Sequence, residues 1–146
     1  MNALRFNGSL WCNLDIALRN LDEVYGVVTK PLGLAVNEWY VLRALYQKDG
    51  QHATKLAHTM GRLPTSFTRV LNKLEQKQLV KRRPDPTDRR GVLIYLTERG
   101  RNLQSEVEAS TRRVDTRLQN LVPKKKWKAF QSVLAKLQGS MAESKT

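Results

Sequence analysis

The hydrophobic period of this chain changes at Leu79. Upstream, apolar residues recur at intervals of three and four, the spacing of one helix face; downstream they alternate, as on a strand. Val80 to Arg83 is extended by composition and stops at Pro84. Gly91 to Leu96 sets Val92, Ile94 and Leu96 on one face and Leu93 and Tyr95 on the other. The link between the two runs is Pro84-Asp85-Pro86-Thr87-Asp88-Arg89-Arg90, which two prolines and two aspartates stiffen into a hairpin loop with arginines at its far end. Few architectures join a series of helices to one short hairpin. The expected fold class is mainly α with a small β-hairpin.

The upstream helices can be read singly. Leu10, Trp11, Leu14, Ala17, Leu18, Leu21, Val24, Tyr25 and Val28 form one apolar stripe, broken by Pro31 and Gly33. Trp39, Tyr40, Val41, Leu42 and Leu45 predict a second helix, ending near Asp49-Gly50. A short third helix spans Thr54 to Met60 and closes on Gly61, a residue suited to the left-handed conformation past a helix end. Pro64 is a suitable first-turn residue for a fourth, since its missing N–H would have no intrahelical acceptor.

That fourth helix buries Phe67, Val70, Leu71 and Leu74 and turns Thr65, Ser66, Arg69, Asn72 and Lys73 outward, with Thr68 at the boundary. Two short helices about a glycine turn, the second showing hydroxyls, an amide and cations, describe a helix-turn-helix with its recognition helix. Hydroxyls and amides near its start suit phosphates, while Arg69 and Lys73 have the reach for guanine O6/N7 or the backbone. An ordinary amphipathic helix with a polar outer face is the alternative. The hairpin that follows completes a winged helix, and the guanidinium groups of Arg89 and Arg90 suit a narrow A·T minor groove. Otherwise the pair is a solvated loop, or is bridged to Asp88.

Charge agrees with this reading. The 146-residue chain, about one domain in length, carries a net charge of +13, yet residues 1–49 are neutral overall. Residues 50–101 hold twelve basic groups against four acidic ones. A concentrated positive field points to a polyanion, because phosphate binding releases condensed counterions; a surface kept soluble by charge is the plainer reading. No apolar run approaches the roughly 20 residues of a membrane span, Met1 opens no signal-like segment, and Cys12 is the lone cysteine. A soluble cytoplasmic protein without membrane attachment is expected.

Leu79 to Arg101, LVKRRPDPTDRRGVLIYLTERGR, resembles the wing signature of the MarR family of transcriptional regulators, including the D-R-R tip and the Leu-Thr-x-x-Gly exit into a helix. The resemblance covers nearly the whole chain and implies a homodimer on a double-stranded, pseudo-palindromic operator. It also implies repression of nearby genes and affinity altered by a small anionic or phenolic ligand or by cysteine oxidation. The recognition helix would be Pro64 to Lys77, Arg90 the minor-groove arginine, and Asp88 the acidic residue that orients the wing. One departure is Leu63, where the family often has a polar N-cap.

The organisation expected on this basis is an N-terminal dimerisation helix (1–34), a winged helix-turn-helix (35–100) and C-terminal dimerisation helices (101–146) in one compact chain. From Glu98 a long helix carries Leu103, Val107, Val114, Leu118 and Leu121, and Pro123 begins another with Trp127, Phe130, Val133, Leu134, Leu137 and Met141. One small domain does not easily cover these stripes and that of helix one, so a two-fold dimer is expected, with recognition helices about 34 to 36 Å apart; packing within the monomer is the other solution. Lys124-Lys125-Lys126-Trp127-Lys128 reads as a solvated first turn, distant from the duplex in the family resembled.

Enzymatic chemistry has no positive sign: there is no phosphate loop or nucleophile motif, and His52 and His58 lack partners at ligand spacing, so no metal or cofactor is expected. Cys12 lies near a helix start, where the dipole favours a thiolate. Some members of the family resembled sense oxidants through a first-helix cysteine with tyrosines nearby, a role open here to Tyr25 and Tyr40; an idle thiol is the alternative. Trp11, Trp39 and Tyr40 are candidates to line an effector cavity, or else are core. The expected function is a dimeric, sequence-specific DNA-binding repressor released by an effector. A non-specific architectural DNA- or RNA-binding winged helix, or a Cys12-based oxidant sensor, is the alternative.

Overall fold

The computed structural model describes residues 4–61 and 64–143, with the side chains of Pro64 and of 140–143 left aside. Leu63 and the side chain of Met141 therefore lie outside the described residues. The chain divides into two compact units, Met1–Ser110 and Thr111–Thr146.

In the first unit, α1 (Leu10–Thr29) begins at Ser9, whose hydroxyl accepts the Cys12 N–H at 3.3 Å. A 3₁₀ turn at Lys30–Leu32 leads to α2 (Val36–Gln47), then β1 (Gln51–His52), α3 (Ala53–Thr59) and α4 (Pro64–Gln76). Strands β2 (Val80–Pro84) and β3 (Val92–Leu96) form the hairpin, followed by α5 (Glu98–Asn102) and the first part of α6 (Gln104–Leu121). Leu42, Leu45, Leu56, Leu74 and Ile94 are buried at the centre, so α2, α3, α4 and β3 share one core. Gly61, at φ +63°, makes the turn between α3 and α4.

The hairpin gains a third strand. β1 pairs antiparallel with β3 through Gln51 opposite Ile94 and His52 opposite Leu93, which gives the order β1-β3-β2. Two residues are too short a run to show a period of two. In the main ladder Val80 faces Leu96 and Arg82 faces Ile94 on the inner surface, while Lys81 faces Tyr95 and Arg83 faces Leu93 on the outer.

The long helix expected from Glu98 breaks at Leu103 into α5 and α6. At the break the Tyr46 hydroxyl donates to the Gly100 carbonyl at 2.7 Å, the acceptor that residue 104 would use in a continuous helix. Burial, helped by the negative Glu108, pushes the Tyr46 phenol up to about 12, so it stays a donor at all ordinary pH.

The exit from the wing is stitched to the end of α4. Leu79 N–H reaches Leu74 O and Gln78 N–H reaches Glu75 O, a Schellman closure with Gln78 at φ +58°. Thr97 caps α5 by accepting the Gly100 N–H at 3.0 Å, and its own hydroxyl donates to Gln78 O at 2.6 Å. A Cβ on Gly100 would lie 2.1 Å from Leu79 O, so the Leu-Thr-x-x-Gly exit needs glycine there for the helix to approach the strand.

In the second unit, α6 ends at Leu121, a 3₁₀ turn takes Lys124–Lys126, and α7 spans Trp127–Glu143. The Trp127 and Phe130 rings lie 5.8 Å apart, and Phe130, Val133, Leu134 and Leu137 are exposed at helical spacing. Along α1, Leu10, Trp11 and Leu18 are exposed as well.

Replacing Gly100 by Ala should lower stability by about 2 kcal/mol through overpacking against backbone, whereas Gln78→Gly should raise it by about 1 kcal/mol by relieving the left-handed residue. Thermal unfolding measures both; an unchanged melting temperature for Gly100→Ala would show that α5 can withdraw from Leu79.

Candidate nucleic-acid interface

The fourth helix divides by face. Phe67, Leu71 and Leu74 are buried and Val70 is half-buried, while Thr65, Ser66, Thr68, Arg69, Asn72 and Lys73 are all exposed. Positions 65, 69, 72 and 73 are neighbours on the outer surface by the i, i+3, i+4 rule. Among the described residues, Arg69 and Lys73 have no ion-pair partner.

Lys77 and Asn72 have polar partners on other elements of the protein. Lys77 Nζ lies 2.5 Å from the buried Glu38 Oε2 and 2.7 Å from Gly33 O, and the same Glu38 oxygen accepts the Ala35 N–H at 3.1 Å. The carboxylate thus caps α2 and holds the end of α4. Arg82, on the inner face of β2, bridges to Glu75 and donates from Nη2 to Asn72 Oδ1 at 2.7 Å. One guanidinium joins the wing to the outer helix and fixes which way the Asn72 amide points. No local pattern announced these pairs, because each joins two different elements.

The wing loop is built by its two aspartates. Asp85 Oδ1 accepts both the N–H and the hydroxyl of Thr87 at 2.8 Å, and Oδ2 lies 2.9 Å from His52 Nε2. Asp88 Oδ1 accepts the Arg90 N–H at 3.0 Å, and its carbonyl accepts the Gly91 N–H at 2.9 Å. Asp88 therefore shapes the tip through main-chain contacts, and among the described residues the guanidinium groups of Arg89 and Arg90 are exposed and unpaired. At the base of the sheet, Asp49 Oδ1 accepts the Leu96 N–H at 2.8 Å and Oδ2 meets Arg101 at 3.2 Å.

The candidate effector and redox residues separate into two places. Tyr25, Trp39 and Tyr40 form one cluster with ring centroids 5.1 to 6.1 Å apart. Trp39 is buried, donates its indole N–H to Ser110 Oγ at 3.0 Å and has the Arg43 guanidinium 5.7 Å from its ring, which is a packing role. Trp11 stands apart, 79% exposed, beside a cavity of about 210 Å³ that Phe6, Cys12, Asp15, Ile16 and Arg19 also line. The cavity expected from Trp11, Trp39 and Tyr40 together does not form. Cys12 precedes Tyr25 by thirteen residues of one helix, about 20 Å at 1.5 Å per residue, so that tyrosine is not beside the thiol. A larger cavity, about 400 Å³, is lined by Leu32, Lys77, Leu79, Arg99, Asn102 and Leu103 among others. None of these was a candidate from the sequence, because the lining comes from three separated segments.

No group of three His, Cys, Asp or Glu side chains among the described residues is placed to hold a metal ion, and no helix among them is long and apolar enough to cross a membrane.

The two Thr87 hydrogen bonds, main-chain first, and then His52 hold the Asp85 carboxyl below its ordinary value near 3.8. A carboxyl lowered by folding contributes stability above its unfolded value and loses it as pH falls through the folded one. The Asp85 carboxyl carbon should accordingly titrate by NMR below pH 3.8, with the wing loop retained down to that point; a midpoint at or above the ordinary value would contradict this geometry.

Comparison with known proteins places the geometry. Residues 34–92 match the model of the MarR family. CouR, a transcriptional repressor solved on a 23-mer DNA duplex, is 28% identical with a TM-score of 0.79, over 88% of this chain and 92% of that one. CouR from Rhodococcus jostii RHA1 bound to p-coumaroyl-CoA is 26% identical with a TM-score of 0.80, over 94% and 96%. The regulator SlyA has the same fold, with a TM-score of 0.82 at 18% identity over 93% and 96%.

Proposed function

We propose that this chain, which carries a MarR-family domain at residues 34–92, is a homodimeric, sequence-specific DNA-binding regulator that represses nearby genes in the cytoplasm and is released by a small effector. It acts by binding, not by catalysis. The observation that carries the reading is the two-faced α4: its apolar side lies in the shared core, while its outer side offers Thr65, Ser66, Thr68, Arg69, Asn72 and Lys73 beside a wing tipped by the exposed Arg89 and Arg90. Short polar and cationic groups on one helix suit a major groove, and two guanidinium groups on a stiff loop suit the adjacent minor groove.

Dimerisation is supported by what a single chain leaves uncovered. Leu10, Trp11 and Leu18 on α1 and Phe130, Val133, Leu134 and Leu137 on α7 are between 40% and 83% exposed, and large apolar side chains exposed at helical spacing mark an interaction face on each helix. Covering these helices with a second copy sets two recognition helices about one DNA turn apart. Effector release draws on two supports. CouR is solved with p-coumaroyl-CoA, and the 400 Å³ cavity lined by Leu32, Leu79 and Leu103 also has Arg99, Asn102 and Glu106 in its wall, apolar surface with a few polar groups that suits a small phenolic molecule, with Arg99 available to an anionic one. The separation of Cys12 from Tyr25 does not favour oxidant sensing.

Footprinting of the wild-type protein on the DNA flanking its gene should show a protected, two-fold-related site; uniform coating of every sequence would instead indicate an architectural protein. Arg90→Ala should weaken binding to that site by about 1 to 3 kcal/mol and relax the A·T preference at its flanks. Equal affinity of the variant would remove the wing from recognition. Lys73→Ala should reduce the salt dependence by about one unit of slope if the amine meets a phosphate, and should relax one base pair if it reads sequence.

A further inference from the structure

The wing is a loop on two strands, and its tip is useful only if its stem holds one direction. The structure assigns that task to His52: we propose that its imidazole is a positioning residue for the wing, clamping both ends of the loop to the start of α3 and thereby aiming Arg89 and Arg90. The inference rests on the DNA-binding reading for its consequence, but its structural half stands independently.

His52 is the residue before α3 and the last of β1, so its backbone belongs to the helix-turn-helix and to the sheet at once. Its side chain makes no capping bond to α3. Instead Nε2 reaches Asp85 Oδ2 at 2.9 Å. Asp85 opens the loop, its side chain is 7% exposed, and its other oxygen is occupied by Thr87, so both carboxylate oxygens are used. Gly91 closes the loop, and a Cβ there would stand 2.9 Å from His52 Cε1 and 3.0 Å from Asp85 Cβ. The ring is therefore wedged between the first and last residues of the loop, with Asp85 N–H bonded to Gly91 O at 2.9 Å behind it. Gly91 has no side chain where the ring lies.

A donor on the helix-turn-helix bonded to an ionised acceptor on the wing fixes orientation as well as closure. Hydrogen bonds to charged groups are stronger and more directional than neutral ones. Without it the hairpin keeps its ladder, yet its root loses the only side-chain hydrogen bond from β1 or α3 to the loop among the described residues.

The test uses full-length protein with three substitutions: His52→Gln, which keeps an N–H donor; His52→Leu, which keeps bulk without one; and Asp85→Asn, which keeps the loop contact to Thr87 but removes the charge. In the free protein, ¹⁵N relaxation of residues 85–91 should show added mobility in His52→Leu and Asp85→Asn and near wild-type order in His52→Gln. Unchanged order in both His52→Leu and Asp85→Asn overturns the proposal. On a duplex selected from a random pool by the wild-type protein, His52→Leu should lose about tenfold in affinity, the scale of one charge-assisted hydrogen bond. That loss should vanish in an Arg89→Ala/Arg90→Ala background, because a residue acting through the wing has nothing to aim once both arginines are gone. An equal loss in both backgrounds overturns it, since His52 would then act elsewhere. If the wild-type protein selects no duplex, the DNA-binding reading fails, and the relaxation data alone decide the clamp.

Discussion

A buried carboxylate organises the first unit. Glu38 is 2% exposed and so must be compensated where it sits; it receives the Ala35 N–H and the Lys77 ammonium, which also bonds Gly33 O. An unpaired charge in such a place costs about 3 to 5 kcal/mol, so the start of α2 and the end of α4 are held at one separation. The outer helix inherits its placement from this contact. Every exposed side chain on α4, from Thr65 to Lys73, is displayed at the angle that the Lys77 end allows.

The second level of organisation is the joining of the wing to that helix. Gly100 against Leu79 O and Thr97 on Gln78 O tie the start of α5 to the segment between α4 and β2, and Arg82 between Glu75 and Asn72 ties the hairpin to α4 itself. They explain why the Leu-Thr-x-x-Gly exit has its composition: threonine supplies a cap and a cross-link, and glycine supplies room. Asp49 adds a fourth tie by holding Leu96 N–H and Arg101. The polar contacts of the helix-turn-helix and the wing cross between elements rather than staying within them.

The sequence showed what is periodic and local. Helices α1 to α4, the hairpin and its arginine tip follow from apolar spacing and from the Pro-Asp-Pro loop, and the outer residues of α4 follow from which positions are apolar. Legibility ended where a residue's role depends on a partner distant in the chain. β1 is two residues long and exists only because Ile94 and Leu93 lie beside it. The break at Leu103 depends on Tyr46, more than fifty residues upstream. Trp39 and Trp11 have the same composition and opposite fates, one held in the core by Ser110 and the other left on the surface. The Asp85-x-Thr87 turn was local enough to have been read, but its second partner, His52, was not.

The Arg82 contact has a bearing on readout chemistry. With its carbonyl oxygen accepting from that guanidinium at 2.7 Å, the Asn72 amide is given an orientation, and its two hydrogens are left for other acceptors. An asparagine pairs with adenine through both a donor and an acceptor; here one lone pair of the acceptor is already taken. In a duplex seated on α4 the amide hydrogens would suit base edges that present lone pairs, such as guanine O6 and N7, thymine O4 or adenine N7.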